Sequence, residues 1–253
     1  MSARARAATA MAFRDQRRRP LVLVLLVIVP AYVITRSIAE TLPTPRDVGL
    51  PGGAIVHTTM KDVHGAEMGG VTIAFVVALV GVFVMQSALE GDRRLVLAGF
   101  RPGETVLARL AVLLAATAVV VGVSALVTAL SFDAASWPAF VAAFLLIGLI
   151  YGGIGALAGA VLDKLAATYL MLFLVMTDVG IVQSPMFSTT PGRFAVLLPG
   201  YAPSRLMYEG AFSTGFHAGG ELALSLAWLV AVAAAVGFVL SRAVSSRSVS
   251  APS

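Results

Sequence analysis

The amino-acid sequence predicts an all-α fold in which six helices cross a membrane. Of the 253 residues, 58% are hydrophobic and only 12% are charged, whereas about a quarter of the residues in soluble domains are charged. The hydrophobic residues gather into segments close to the length of about 20 residues that crosses the hydrocarbon of a bilayer. So few charges cannot cover the surface of a soluble enzyme, and a disordered chain needs the opposite composition. A polytopic membrane protein is the class that remains.

Six segments are apolar enough to span the hydrocarbon. Each is expected to be a helix, because backbone polar groups in lipid have to be satisfied within their own segment. Pro30 lies inside the first segment and should kink it. The fourth segment contains no charged residue, whereas Asp178 interrupts the fifth. The predicted spans are Leu21–Ile38, Gly69–Leu89, Val106–Leu130, Pro138–Leu162, Leu165–Gln183 and Leu222–Leu240.

The basic residues indicate how these spans are oriented. Thirteen of the 18 lysines and arginines fall on one side of the predicted membrane and five on the other. Because cytoplasmic loops collect Lys and Arg, both termini are expected in the cytoplasm, as an even number of spans requires. The net charge of +5 then reflects topology and contact with anionic lipids, and no nucleic-acid partner is expected. The thirteen are Arg4, Arg6, Arg14, Arg17, Arg18, Arg19, Arg93, Arg94, Arg101, Arg109, Lys164, Arg242 and Arg247.

The chain divides into a transmembrane domain and two cytoplasmic ends. Residues 1–19 are rich in Ala and Arg and form either a basic amphipathic helix on the membrane surface or a disordered basic tail. The tail of residues 243–253 is rich in Ser and is expected to be disordered. The transmembrane domain covers residues 20–242, with an inner loop at 90–105 and outer loops at 40–68 and 185–220.

The inner loop combines charged residues with a short apolar stretch. Asp92 is suited to cap a short helix that Gly99 ends. The apolar stretch Leu95–Phe100 is flanked by arginines, which indicates either a loop whose charge sets the topology or a helix that docks into a cytoplasmic partner through apolar contacts and a charged rim. The arginines are Arg93, Arg94 and Arg101.

The outer loop 185–220 contains two apolar pieces that are too short to cross a membrane. They occupy residues 194–198 and 204–212, and the break P-G-Y-A-P separates them. Such pieces suit re-entrant or interfacial helices, which occur at membrane depth only where protein or water covers their ends.

Four glycines on the fourth span predict close helix packing. Gly148 and Gly152 form one G-x-x-x-G pair, and Gly155 and Gly159 form another. Small residues at this spacing let helix backbones approach closely in lipid.

Asp178 is the most unusual residue of the predicted spans. A carboxyl group inside a membrane is costly, so it usually faces the interior of a bundle, a cavity or a partner. With its neighbours Thr177 and Gln183, Asp178 is expected to lie on a path through the membrane or to make a hydrogen bond between helices. The alternative is a tilted or broken span that leaves Asp178 near its outer end.

Motifs for chemistry on this chain are missing. The sequence contains no G-x-x-x-x-G-K-[ST] loop for nucleotide phosphates, no H-E-x-x-H and no G-x-S-x-G. A cluster of His and acidic residues in the first outer loop could bind a divalent cation, but a flexible loop often collects such residues by chance. We therefore predict no metal site and no catalytic residue. The cluster is His57, Asp62, His64 and Glu67.

Three stretches together resemble the type 2 family of ATP-binding-cassette (ABC) transporter permeases. The first is F-R-D at residues 13–15, followed by R-P and by an apolar helix that contains Pro30. The second is E-G-D-R-R-L at residues 90–95 with G-F-R-P-G-E at 99–104, and the third is L-P-G-Y at 198–201. They occur in the order and spacing of the family over nearly the whole chain.

This resemblance implies a transport subunit without a nucleotide site of its own. A separate ATP-binding subunit would carry ATP and Mg²⁺, so no cofactor is expected on this chain, and a second permease subunit would complete a homodimer or heterodimer. Residues 1–19 would form the connecting helix. The implied coupling residues are Asp92, Arg93, Arg94, Leu95, Gly99, Phe100 and Arg101, and the implied extracellular gate consists of Phe194, Leu198, Pro199 and Tyr201.

The same resemblance implies a class of substrate. The chain lacks the large extracellular domain of the longest members, and its size is closer to that of the exporters of drugs, antibiotics and lipids. We therefore expect export of a hydrophobic or amphipathic small molecule across a bacterial plasma membrane. Two alternatives remain: a secondary transporter that an ion gradient drives through Asp178, and a non-transporting immunity or assembly protein.

Overall fold

The structure is a computed structural model that describes residues 20–97 and 102–245. Within these ranges seven α-helices and one two-stranded sheet are present. The predicted connecting helix at residues 1–19, the coupling residues Gly99, Phe100 and Arg101, and the tail after Ser245 lie outside the described residues. In chain order the helices are α1 (Pro20–Glu40), α2 (Met60–Leu97), α3 (Pro102–Ala129), α4 (Trp137–Val161), α5 (Lys164–Thr177), α6 (Tyr201–Phe212) and α7 (Gly219–Ser245).

Five helices of the described part are long and apolar enough to cross a membrane, which is compatible with a multi-pass membrane protein. They match the second to sixth predicted spans. The first predicted span lies within α1, a helix of 21 residues that contains Pro30. The five apolar stretches are Met60–Ser87, Arg109–Ala129, Trp137–Val161, Lys164–Val182 and Gly219–Val239.

The prediction of an all-α fold is wrong for the first outer loop. Strands β1 (Pro45–Gly49) and β2 (Ile55–Thr59) pair antiparallel, with Val48 opposite Val56. A 3₁₀ turn joins them. Its Gly52 has φ 77°, a left-handed conformation that glycine adopts without steric cost.

The second span begins nine residues earlier than predicted, because α2 starts at Met60 rather than at Gly69. The Thr59 hydroxyl donates to Asp62 Oδ2 at 2.6 Å, and the Asp62 backbone N–H donates to Thr59 Oγ1 at 3.3 Å. The Thr59 hydroxyl thus caps the start of α2, because it accepts from a backbone donor of the first turn. The charged residues of the first turns had indicated a loop.

The prediction that a separate short helix begins at Asp92 is also wrong. The backbone is helical without a break from Met60 to Leu97, so Asp92 lies inside α2 and caps no separate helix. Most residues around Asp92 have good intrinsic helix propensity, which lets the helix continue beyond its apolar part.

Helices α2 and α4 form the centre of the bundle. In the most apolar part of α2, 78% of the residues are buried inside the bundle, whereas in the most apolar part of α7 only 17% are buried. A Cβ atom at Gly159 of α4 would lie 2.7 Å from the Val82 carbonyl oxygen of α2, and one at Gly152 would lie 2.8 Å from Val77 Cγ1. At Gly155 the nearest atoms are the backbone of Ala78 in α2, and at Gly148 they are Thr117 Cγ2 of α3 at 2.7 Å and Ile73 Cγ2 of α2 at 3.1 Å. All four predicted packing glycines therefore lie where α4 approaches α2.

Candidate functional site

Buried polar side chains gather at one end of the bundle. This end contains β1, β2, the segment 183–200 and α6, and we call it the hairpin end. Helix α6 is too short to cross a membrane, and ten consecutive residues of it, from Ala202 to Ala211, are buried. Polar groups at the hairpin end are therefore enclosed by protein, and each needs a partner inside it.

Among these groups, the carboxyl group of Asp178 receives the most hydrogen bonds. Its carboxyl oxygens accept hydrogen bonds from the Tyr151 hydroxyl of α4, from Gln183 Nε2 at 3.0 Å and from the Gly200 backbone N–H at 2.9 Å. Asp178 opens the π-helical turn Asp178–Val182 that ends α5, and this turn carries Gln183 back toward the carboxyl group. Asp178 thus joins α5, α4 and the start of α6.

The same carboxyl group leaves no space for a side chain at Gly200. A Cβ atom at this position would lie 2.8 Å from Asp178 Oδ1 and 2.8 Å from the Tyr151 hydroxyl oxygen. Only a residue without a side chain lets the backbone come close enough to donate to Asp178. Thr177 is half-buried and contributes none of these bonds.

Glu67 is the buried carboxyl group that the sequence placed in a loop. It lies on α2 with 0% of its surface exposed. Its Oε2 atom accepts a hydrogen bond from the Ser184 hydroxyl at 2.8 Å, and the Tyr208 hydroxyl of α6 lies beside the same carboxyl group. Among the described residues, Glu67 therefore receives fewer close hydrogen bonds than Asp178.

Two side chains of α6 complete this cluster. The Tyr208 phenol lies beside the carboxyl group of Glu67, as a hydrogen-bond neighbour, and near the guanidinium of Arg205. Arg205 Nη1 donates to the Gly49 carbonyl oxygen of β1, and Arg205 Nε has no partner. The exposed fractions of Tyr208 and Arg205 are 2% and 9%.

The hairpin is held over this end by backbone contacts far apart in sequence. Arg46 donates from Nε to the Pro185 carbonyl oxygen at 2.8 Å and from Nη2 to that of Met186. The Gly49 N–H donates to the Thr189 carbonyl oxygen at 2.9 Å. Together with Arg205, these bonds attach β1 both to the segment after α5 and to α6.

The predicted cluster of His and acidic residues is divided among separate partners. His57 Nδ1 lies 2.6 Å from Asp47 Oδ1, the Asp62 carboxyl group accepts from the Thr59 hydroxyl, and His64 Nδ1 lies 3.1 Å from the Met60 carbonyl oxygen. Glu67 points to Ser184 instead. Over residues 20–97 and 102–245, no group of three potential metal ligands occurs.

The predicted gate residues differ in their exposure. Phe194, on the 3₁₀ helix Arg193–Leu197, is 84% exposed. Leu198 and Tyr201 are half-buried, and Pro199 is buried. Pro199 and Tyr201 flank Gly200, whose N–H donates to Asp178.

The predicted coupling residues are described only in part. Asp92, Arg93, Arg94 and Leu95 lie on the last turns of α2. At this end of the bundle, Arg109 Nη1 of α3 donates to the Val84 carbonyl oxygen at 2.9 Å, and Gln86 Nε2 lies 3.3 Å from the Leu162 carbonyl oxygen. The helices are therefore tied together close to the point where α2 extends beyond its apolar part.

Sequence reasoning missed the importance of Glu67, although a signal was present. Glu67 stands among Gly65, Gly69 and Gly70, and Cβ atoms there would press on Phe132, Phe144 and Met207. A carboxyl group within a run of small residues indicates a crowded helix contact rather than a loop. The chain matches no known protein-family model and no curated protein.

Proposed function

We propose that the chain is the membrane-spanning subunit of an ABC exporter, and that a separate ATP-binding subunit drives it. The observation that carries this proposal is the length of α2. Its apolar sequence ends at Leu89, and the helix continues to Leu97, which adds roughly 12 Å at 1.5 Å per residue. A charged helical extension of this kind is a surface to which a soluble partner can apply force.

In this proposal α1 supplies the sixth span, and both termini lie in the cytoplasm. The extension of α2 is then on the same side as the termini, because α1 and α2 are consecutive spans. The hairpin end lies on the outer side, where α6 would be a re-entrant helix enclosed by protein. The distribution of Lys and Arg supports the same orientation.

Transport would follow from ATP binding by the partner. A ligand changes a conformational equilibrium only through its different affinity for the two states. ATP would therefore favour one arrangement of the partner, and the extension of α2 would pass that change to α2 and α4. A second permease subunit, identical or different, would form the other wall of the path. The cargo would be a hydrophobic or amphipathic small molecule.

The proposal is tested by co-expressing the chain with the ATP-binding subunit encoded nearest to it and purifying the complex through a tag on the chain. We expect the ATPase to co-purify, and Leu95→Asp or Phe100→Asp to abolish this. Ile55→Asp is the matched control, because Ile55 is 56% exposed on the hairpin at the opposite end. Co-purification that the Leu95 and Phe100 variants leave unchanged contradicts the proposal.

A secondary transporter is the second candidate, and one observation favours it. Glu67 is a fully buried carboxyl group on a central helix, as a group that binds a coupling ion would be. Asp178, which the sequence indicated for this role, has its carboxyl oxygens occupied by hydrogen bonds. Transport by the purified chain alone in proteoliposomes under an ion gradient, lost in Glu67→Gln, would select this candidate. Normal function in cells without measurable transport would instead indicate an immunity or assembly protein.

A further inference from the structure

The 3₁₀ helix Arg193–Leu197 turns apolar side chains away from the protein. Phe194 is 84% exposed, Leu197 72% and Val196 42%. A 3₁₀ helix has three residues per turn, so residues three apart lie on the same side. Phe194 and Leu197 therefore form one outward row, and Arg193 and Val196 form a second, whereas Ala195 is buried. Most of the outward surface of this short helix is thus apolar.

Water is a poor environment for this surface. Single exposed apolar residues are common on soluble proteins, but adjacent ones that form a patch indicate contact with a membrane or with another protein. Phe194 and Leu197 are neighbours in one row, and Val196 lies in the row beside them. Either a lipid bilayer or a protein surface is therefore expected to cover this helix.

A hydrogen bond fixes the depth of this helix in the membrane. Gln183 Nε2 donates to the Ala195 carbonyl oxygen at 3.4 Å, and Gln183 directly follows the apolar stretch Lys164–Val182, which comprises α5 and its π-helical turn. These 19 residues extend over roughly 28 Å at 1.5 Å per residue, close to the thickness of about 30 Å of the hydrocarbon. The 3₁₀ helix therefore lies where the hydrocarbon meets the lipid headgroups at the hairpin end.

Exposed apolar side chains continue along the chain from α5 into the segment 183–200. Only a narrow stripe of α5 is buried, formed by Ala167, Met171 and Val175 at intervals of four residues. The other sides of α5 carry exposed apolar residues, and more of them follow up to the 3₁₀ helix. Lipid that covers the sides of α5 therefore also reaches the 3₁₀ helix. The exposed residues of this series are Tyr169, Phe173, Met176, Ile181, Phe187 and Phe194.

Arg193 distinguishes a lipid surface from a protein surface as the cover. Its side chain is exposed in the row beside Phe194. Long basic side chains at the edge of the hydrocarbon extend their charge to the headgroups, and a guanidinium group matches the geometry of a phosphate. A second protein would have to supply an apolar surface and an anion side by side at this depth. A bilayer supplies both along its whole boundary.

We infer that the 3₁₀ helix Arg193–Leu197 is a membrane anchor, in which Phe194 and Leu197 insert into the leaflet at the hairpin end and Arg193 binds a lipid phosphate. We call it the anchor helix. Because Gly200, three residues further along, is bonded to Asp178, the anchor helix fixes the start of α6 relative to the bilayer. This role requires that α5 crosses the membrane, and it does not depend on an ATP-binding subunit.

Spin labels test the position of the anchor helix, because the native chain contains no Cys. Phe194→Cys and Leu197→Cys are prepared separately in the full-length chain, labelled with a nitroxide and reconstituted in phosphatidylcholine nanodiscs. Oxygen concentrates in hydrocarbon, whereas nickel ethylenediaminediacetate stays in water, so the ratio of their collision rates reports the surroundings of each label. The lipid reference is Val230→Cys, at a position 68% exposed on α7. The water reference is His57→Cys on the hairpin, where the side chain is 84% exposed.

The labels at positions 194 and 197 should show a ratio of oxygen to nickel collisions several-fold higher than the label at position 57. Their ratio should stay below that at position 230, since the anchor helix lies at the edge of the hydrocarbon. A ratio equal to that at position 57 overturns the inference, because water then covers the helix. Low collision rates with both reagents also overturn it and indicate that a protein surface, such as a second copy of the chain, covers the helix.

A charge reversal tests the contact of Arg193 with phosphate, with the label at position 194 as the reporter. Arg193→Glu places a carboxylate against the phosphates, so the ratio should fall toward the value at position 57. The matched control is Lys61→Glu, which reverses an exposed charge at the start of α2 and should leave the ratio unchanged. An unchanged ratio in Arg193→Glu overturns the role of Arg193. No ATPase takes part in these measurements, so their failure is separable from failure of the proposed function.

Discussion

The backbone of Gly200 is hydrogen-bonded to the side chain of Asp178. The N–H of Gly200 donates to Asp178 Oδ2 at 2.9 Å, and a Cβ atom on Gly200 would stand 2.8 Å from Oδ1. The segment that leads into α6 is thus fixed to the end of α5 by a contact that only glycine permits. The position of α6, which carries Tyr208 and Arg205, depends on it.

Gly200→Ala should therefore destabilise the protein. The added methyl group has to displace either the Asp178 carboxyl group or the Tyr151 hydroxyl, and overpacking of this kind costs about 1–3 kcal/mol. The measurement is thermal unfolding of the purified protein in detergent.

The control for this change is Gly192→Ala. Gly192 has an ordinary φ of −67°, and nothing lies within 4 Å of a Cβ atom built there. We expect its melting temperature to stay at that of the native chain. Equal behaviour of the two variants would mean that the contact between Gly200 and Asp178 is not close in solution.

The two buried tyrosines should respond differently to loss of their hydroxyl groups. Tyr151→Phe removes a donor to Asp178 and should cost about 1–2 kcal/mol of unfolding free energy. The Tyr208 hydroxyl lies beside the carboxyl group of Glu67 without the short, aligned bond that Tyr151 makes to Asp178, so Tyr208→Phe should cost less, about 0.5 kcal/mol. Each substitution is the control of the other, because both remove one oxygen from a buried ring. Equal losses would show that the two hydroxyl groups are bonded equally well in the native protein.

Single cysteines test the proposed orientation in cells, since the native chain has no Cys. Leu42 is 73% exposed and Thr214 is exposed, both beside the hairpin end. Cysteines there should react with a membrane-impermeant maleimide added outside intact cells. Cysteines at Ser2 and Gly103 should react only after the membrane is opened. Labelling of a cysteine at Gly103 from outside intact cells would show that the orientation is opposite to the proposed one.

The sequence predicted the long helices and the packing glycines because both depend on local composition. Hydropathy alone identifies a segment that can span a membrane, and the spacing of Gly148, Gly152, Gly155 and Gly159 is visible without a structure. The helix-start pattern T-x-x-D at residues 59–62 was also visible in the sequence, and it would have placed the start of α2 correctly.

The partners of the buried carboxyl groups could not be predicted in this way. Ser184 is 117 residues from Glu67, and Tyr151 is 27 residues from Asp178. Such pairs are set by how the helices pack, which a single sequence does not state. The hairpin was missed for a related reason, because its two strands of five residues each are stabilised by contacts of Arg46 and Gly49 with a segment some 140 residues further along the chain.

The most direct test of the central claim is native mass spectrometry of the assembly extracted from its own membrane through a tag on this chain. The account predicts an assembly of two permease subunits, of which this 26.1 kDa chain is one, with bound ATP-binding subunits that dissociate in the Leu95→Asp variant. A particle that contains this chain without any ATP-binding subunit, from membranes in which the protein is active, would contradict the account.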